Sequence, residues 1–353
     1  MREDFGRSAD GTPVERYTLT AAGLRARVLT YGCVVQSLEV PDRHGGMDNV
    51  VIGLDSMEDY LTRSQFFGAV VGRFGNRVAG GRFTLEGRTF RLPVNDGPNS
   101  LHGGGTGFDR RVWSVQHAGP DRLVLALDSE DGDQGWPGNL RAEVTYAVTG
   151  TGHGGELRIG YRAVTDAPTH VNLTQHSYFN LAGAGSGDIL GHLLALRADR
   201  YLPVDEHMIP AGPPAPTVGT PFDFSSPVPV GARIQEDHPQ LRRAGGYDHT
   251  FVLPGPGPDG APSPAAVVTE PGSGRVLRVD TTEPGVQFYS GNQLRDRVFG
   301  RGSGLCLETQ HFPDSPNRPD FPSTVLRPGE EYTSTTVYRF SAGDDAGKEP
   351  LWP

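Results

Sequence analysis

A chain of 353 residues is long enough for two ordinary domains, although large all-β folds of this length also occur as one unit. Its formal net charge of −10 excludes the basic surface that a nucleic-acid or anionic-membrane partner recruits, whereas a neutral ligand is compatible with it. The 49 glycines and 30 prolines are spread between short apolar runs, so they read as turns rather than as a low-complexity segment.

Cys33 and Cys306 are far apart and lack metal-type spacing, which fits two small reduced core residues. Met1 precedes Arg2, Glu3 and Asp4 with no apolar segment behind them, and no stretch of about 18 apolar residues follows anywhere. A cytoplasmic protein, monomeric or weakly dimeric, is expected.

Short apolar runs alternate with turn residues at Arg16–Thr20, Leu24–Leu29, Val34–Val40 and Val50–Ile52. Ser56 is placed to cap a brief helical turn through Tyr60 and Leu61, with Asp59 at the reciprocal position. Glu86 and Gly87 separate Arg82–Leu85 from Thr89–Leu92 as a hairpin turn would. Further strands are predicted at Val112–Val115, Leu123–Leu127, Leu140–Val148, Glu156–Val164, Val267–Val279, Val286–Ser290 and Thr333–Phe340. No sustained 3.6-residue periodicity occurs, so a β-sandwich or barrel is expected. Pro210–Val230 and Pro254–Pro264 read as long surface loops, and Ala342–Pro353 as a loosely ordered tail.

The stretch from Thr169 to Gly183 would, as a strand, put His170, Asn172, Thr174 and His176 on one face and Val171 and Leu173 on the other. Such a polar row is ordinarily the solvated side of a sheet. Here Ser177, Tyr178, Phe179 and Asn180 follow it, mixing aromatic surface with polar groups as a binding cleft would. In Leu305–His311 the same alternation places Cys306, Glu308 and Gln310 together, and a buried glutamate there would be a better base near neutrality.

Three other stretches have a bland and a chemical reading. Gly72–Arg77 is either a turn with solvated arginines or a donor site in which Asn76 and Arg77 face hydroxyl oxygens. The glycines at 103–105 after His102 would let backbone crowd a ligand, but they match neither the dinucleotide nor the P-loop pattern. Asp128–Asp133 reads as a solvated turn rather than a calcium loop. His170 and His176 lack the partners of a zinc site, so no metal is expected.

From about Phe5 to Phe340 the chain resembles the aldose 1-epimerases, or galactose mutarotases. The resemblance rests on nine motifs in order, among them G-R-F-G-N-R-V-A, N-D-G-P-N-S-L-H-G-G, V-N-L-T-Q-H-S-Y-F-N-L-A-G, Y-D-H-T-F-V-L and L-E-T-Q-H-F-P-D-S-P-N. It implies an all-β fold, a large antiparallel β-sandwich of the supersandwich type, over a single domain at 1–341. It also implies exchange of the α and β anomers of free aldohexoses without a cofactor. His176 would be the general acid at the ring oxygen, Glu308 the base at the anomeric hydroxyl and His102 an assistant near the ring oxygen. Asn76, Arg77, Tyr178, Asp248 and Gln287 would meet sugar hydroxyls. Asp96, His170 and Gln175 depart from the usual Asn, Pro and Asn. The competing expectations are a hexose-6-phosphate epimerase with added cationic groups, a glycoside hydrolase with two carboxylates, and a sugar-binding protein without activity.

Overall fold

In the computed structural model, residues 1–150, 154–343 and 351–352 are described. The N-terminal strands Arg2–Arg7, Pro13–Ala21, Leu24–Leu29, Val35–Pro41 and Met47–Asn49 pair in sequence order as a five-stranded meander. A nine-stranded sheet runs from Ser114–Ala118 through Arg122–Ser129, Leu140–Gly150, Gly154–Thr165, Tyr332–Ala342, Arg275–Thr281, Ser263–Thr269 and Leu193–Leu196 to Val228–Pro229. A six-stranded sheet takes Tyr178–Phe179, Leu305–Gln310, Gly285–Tyr289, Asp248–Val252, Arg200–Tyr201 and Ala215–Pro216 in that order. The ladders between these strands are antiparallel, as the all-β reading expects.

Alternation makes this arrangement. In Leu140–Gly150, Leu140, Ala142, Val144, Tyr146 and Val148 are buried while the residues between them are not. Burying one large apolar side chain contributes about 1.5–3 kcal/mol. The exposed Arg141–Asp128 pair on the other side is a surface ion pair of at most about 1 kcal/mol. The apolar face therefore sets the register. One core joins the faces of all three sheets, with Phe179 of the six-stranded sheet against Tyr338 of the nine-stranded one at 5.2 Å between ring centroids.

Several elements differ from expectation. Val267–Val279 is two strands folded back at Glu270–Gly274, because Pro271 and Gly272 turn the chain and the Glu270 carboxylate accepts from the Gly272 and Ser273 N–H groups. Arg2–Arg7 forms a strand that charge had hidden, and Val50–Ile52 contributes only an isolated bridge from Val51 to Phe179. Ser56 caps the helix Met57–Arg63 as foreseen. Its hydroxyl accepts from Asp59 N and donates to the Asp59 carboxylate. A second helix, Pro239–Ala244, starts on a proline and closes on Gly245 in the left-handed region. Neither helix is long and apolar enough to cross a membrane. The expected tail lies mostly outside the described residues, and Ala342 itself ends a strand.

The polar strand at Thr169–Gly183 is not one strand and has no solvated face. Thr169–His170 pairs with Val325–Leu326, Asn172 bridges Phe74, Thr174–His176 pairs with Ala69–Val71, and Tyr178–Phe179 pairs with the strand containing Cys306. Each change of partner re-aims the chain, so the four polar side chains are all buried but do not share one cleft. His170 donates or accepts at Thr324 Oγ1 (2.8 Å) and stands edge-on to Phe83, whereas Asn172 bonds the Gly75 and His311 backbone.

Candidate active site

The site has a regular floor and an irregular wall. The floor is one face of the six-stranded sheet. Register places Tyr178 opposite Cys306, Cys306 opposite Tyr289, Glu308 opposite Gln287, Gln287 opposite Thr250, and Tyr289 opposite Asp248. Cross-strand partners share a face. Tyr178, Cys306, Glu308, Gln287 and Asp248 therefore rise on the same side, while Leu305 and Leu307 point into the main core. The expected grouping of Cys306, Glu308 and Gln310 follows from the same alternation.

The wall comes from two small ladders, Ala69–Val71 with Thr174–His176 and Arg77–Val78 with Ser100–Leu101. Beside these ladders, Phe66, Asn76 and His102 hold φ values of +63°, +66° and +52°, which re-aim the backbone toward the floor. The glycine after His102 has a different purpose from the expected one. A Cβ on Gly103 (φ +88°) would lie 1.9 Å from the Gly72 carbonyl oxygen, so the close approach is between two backbone segments and not toward a ligand.

Wall and floor bring His102, His176 and Glu308 together, with one ligand-type atom of each within 4.8 Å of the others. His176 Nε2 is 3.7 Å from Glu308 Oε1 and its Nδ1 is 3.6 Å from Cys306 Sγ. His102 stands edge-on to His176 with ring centroids 5.3 Å apart. The backbone N–H of Asn76 donates to His102 Nδ1 at 3.1 Å, so neutral His102 carries its proton on Nε2. Glu308 Oε2 is buried without a partner among the described residues. Two imidazoles and a carboxylate are also donors a divalent cation could use, although the Arg77 charge that lowers the pKa values of His102 and Glu308 opposes a cation there.

Burial dominates the electrostatics. It pushes the Glu308 carboxyl well above its usual range, with the Asp248 charge adding to the rise and Arg77 opposing it. Burial lowers His176 to about 4 and His102 well below its ordinary value. Asp248 is raised, again by burial, against Arg77 and the Gln287 hydrogen bond. A buried His and Glu in contact titrate as a pair, and burial favours the neutral pair carrying one proton.

The expected hydroxyl-binding residues take distinct places. Gln287 Nε2 donates to Asp248 Oδ1 at 2.6 Å and its Oε1 accepts from Thr250, so Gln287 braces the floor between Glu308 and Asp248. Arg77 Nε donates to Asp96 Oδ2 at 2.7 Å, which gives the Asp96 departure a partner on the wall. Asn76 Oδ1 accepts from the Arg77 N–H at 2.8 Å. Tyr178 faces His176 with its ring, centroids 5.0 Å apart, while its hydroxyl donates to the Gln65 carbonyl. Gln175 accepts from Tyr146 and donates to the Gly68 carbonyl, a buried brace behind His176. In Gly72–Arg77 the two arginines divide. Arg73 is 1% exposed and donates to Ser129, Pro137, Gly138 and Thr169. This also structures the Asp128–Asp133 turn, where Asp133 pairs with Arg111.

Sequence reasoning missed Phe66. Its ring stands 4.7 Å from the His102 ring and 5.7 Å from the His176 ring, closing the wall. Paired aromatics before Gly68 were the available signal.

A β-sandwich that brings two buried imidazoles and a buried carboxylate together, beside further carboxylate, carboxamide and guanidinium groups, holds side chains of the kind that proton transfer on a hydroxyl-rich small molecule uses. The profile of the family described as aldose 1-epimerase matches residues 15–339. The chain is 46% identical over 338 residues to the galactose mutarotase of Mus musculus, covering 94% of this chain and 95% of that protein. It is 41% identical over 351 residues to the aldose 1-epimerase of Escherichia coli (strain K12), covering 97% and 99%. The crystal structure of galactose 1-epimerase from Lactobacillus acidophilus superposes with a TM-score of 0.84 at 30% identity, covering 97% of this chain and 98% of that one. The chain belongs to the aldose 1-epimerase family, and its activity is that class of isomerase reaction, aldose mutarotation.

Proposed function

We propose that this site interconverts the α and β anomers of free aldohexoses, galactose and glucose among them, with Glu308 and His176 acting at opposite ends of the C1–O5 bond. The observation that carries the assignment is the facing of His176 Nε2 and Glu308 Oε1 at 3.7 Å, with Glu308 Oε2 otherwise unpartnered among the described residues.

In ring opening, Glu308 takes the proton of the C1 hydroxyl while His176 gives one to O5. The C1–O5 electron pair stays on O5, and C1=O forms. Rotation about C1–C2 presents the other face of the aldehyde. On closure O5 attacks C1, its proton returns to His176, and Glu308 returns a proton to O1. The pair carries one proton throughout, and each direction of reaction uses one of its two arrangements. Burial favours the arrangement with the proton on Glu308, and Arg77 draws it back toward the carboxylate. His102, with Nε2–H turned to the cleft, supports O5. Asn76, Arg77, Asp248 and Gln287 hold the hydroxyls, while Phe66 and Tyr178 offer ring faces to the C–H surface of the sugar. We further place the enzyme in the cytoplasm, as a monomer or weak homodimer, on the strength of its two buried free thiols and acidic charge.

Positioned acids and bases contribute typically about 10²–10⁴-fold each. Glu308→Gln and His176→Asn are each expected to lose at least about 10²-fold in turnover with the fold intact. Polarimetry of freshly dissolved α-D-galactose and α-D-glucose reads this directly. Near wild-type rates in both variants would overturn the assignment. Glucose 6-phosphate turned over faster than glucose would replace it with the phosphorylated substrate class.

A further inference from the structure

The charges gathered at the cleft do not balance. Glu308 and His176 share one proton, so the pair is neutral overall in either arrangement, and burial keeps His102 neutral. Among the described residues of the cleft, this leaves the Arg77 guanidinium against the carboxylates of Asp96 and Asp248. Asp248 belongs to the floor, where Gln287 Nε2 donates to its Oδ1 at 2.6 Å. Asp96 stands at the rim: its Oδ2 accepts from Arg77 Nε at 2.7 Å, and its side chain is 34% exposed where that of Arg77 is 10%. The turn that carries Asp96 is closed by its N–H donating to the Asn99 carbonyl at 3.1 Å and the Asn99 N–H donating back at 2.9 Å. That turn runs straight into Ser100–Leu101, the strand paired with Arg77–Val78. Backbone and carboxylate of Asp96 are thus both tied to the segment that holds Arg77, so its charge has a fixed place beside the cleft. Burial raises Asp248, and the Asp96 charge adds to that rise, so the rim charge is felt at the floor.

We propose that Asp96 is a specificity-determining residue: it gives the cleft a net negative charge, which discriminates against aldoses bearing a carboxylate or phosphate and favours those that are neutral or bear an ammonium group. A lone guanidinium would attract an anionic sugar. Here Arg77 already has a carboxylate partner, so an incoming anion has to compete with Asp96 and also meets the Asp248 charge. A cationic sugar meets the reverse balance. The bland alternative is that Asp96 merely holds Arg77 in place. Asp96→Asn separates the two, because the carboxamide keeps an oxygen that can accept from Arg77 Nε while losing the charge. The inference rests on the reading of this cleft as the sugar site and names the substrate class that the site admits.

The test compares kcat/KM for D-galactose, D-galacturonate and D-galactosamine in the wild type and in Asp96→Asn, by polarimetry at low ionic strength and at a pH where the amine is protonated. Galacturonate replaces the C6 hydroxymethyl group of galactose with a carboxylate, so it reports the charge at nearly constant shape. One charge acting on another across a partly screened cleft is worth roughly tenfold. The wild type should handle galacturonate at least about 10-fold less well than galactose. Asp96→Asn should raise the galacturonate-to-galactose ratio about 5–10-fold and lower the galactosamine-to-galactose ratio, and about 0.5 M salt should shrink both shifts. Shifts of opposite sign do not arise from a general loss of activity or fold. Unchanged ratios, or ratios that move in the same direction, would overturn the proposal. If the wild type turned over none of the three sugars, the functional reading would fall instead. Calorimetric binding of the same sugars to both proteins, which needs no turnover, would then decide the proposal by the same ratios.

Discussion

The two sides of the active site are built by different means. The floor is a plain antiparallel ladder in which Glu308, Gln287 and Asp248 rise together because their register puts them opposite one another or one strand apart. The wall is made of two-residue and three-residue ladders, left-handed turns at Phe66, Asn76 and His102, and a backbone contact that only Gly103 permits. A ladder spreads its support over many equivalent hydrogen bonds, so no one side chain carries it. The wall depends on a few side chains that each satisfy several backbone groups. Glu308 therefore stands on a repetitive structure and the imidazoles on a singular one.

The largest expected break falls on the wall. Arg73→Met removes a buried cation that donates to Ser129, Pro137, Gly138 and Thr169, leaving several carbonyls without a partner. Each buried acceptor left without its donor costs about 1–3 kcal/mol, so several together should lower stability more than any other substitution considered, and urea unfolding should show that loss. Arg77→Lys, a little further along the same segment, should shift unfolding by less than about 1 kcal/mol yet lower kcat/KM about 10-fold or more, because Lys cannot reproduce the planar fork beside Asp96 and Glu308. Equal effects of the two on stability would erase the distinction between an arginine that anchors the wall and one proposed to serve the substrate.

A smaller effect sharpens the contrast through pH. His170 lies in the wall's support, bonded to Thr324, and burial lowers it to about 4. The unfolded imidazole titrates near 6.5, so as pH falls the unfolded chain takes the proton first. The stability tied to the neutral ring is present above about 6.5 and lost progressively toward 4. Over that window the wild type should lose about 3 kcal/mol that His170→Asn does not. Unfolding midpoints of both proteins at pH 7.5 and at pH 4.5 measure it. A constant difference between them would mean that His170 is not buried neutral.

This asymmetry also explains what the sequence made legible. Alternation in Leu305–His311 put Cys306, Glu308 and Gln310 on one face correctly, because a regular strand has one period. The same logic applied to Thr169–Gly183 failed, because that segment takes a succession of different partners and its polar residues scatter. Arg73 and Arg77 look alike in sequence and both are buried, and only their partners, the distant 129–138 turn for Arg73 and Asp96 for Arg77, tell them apart. Phe66 escaped notice because the paired aromatics before Gly68 do not reveal the left-handed backbone that turns this ring toward the imidazoles. The thiol at 306 read as core filler, and its contact with His176 depends on strand pairing that no local pattern announces.

The central claim is that one imidazole and one carboxylate serve the two oxygens on C1 of the same sugar. A crystal structure of the Glu308→Gln variant with galactose tests it most directly. His176 Nε2 should lie within about 3.2 Å of O5, with the carboxamide introduced at position 308 within the same reach of O1. A sugar bound with its ring oxygen turned away from His176, or with O1 outside hydrogen-bond distance of position 308, would contradict the account.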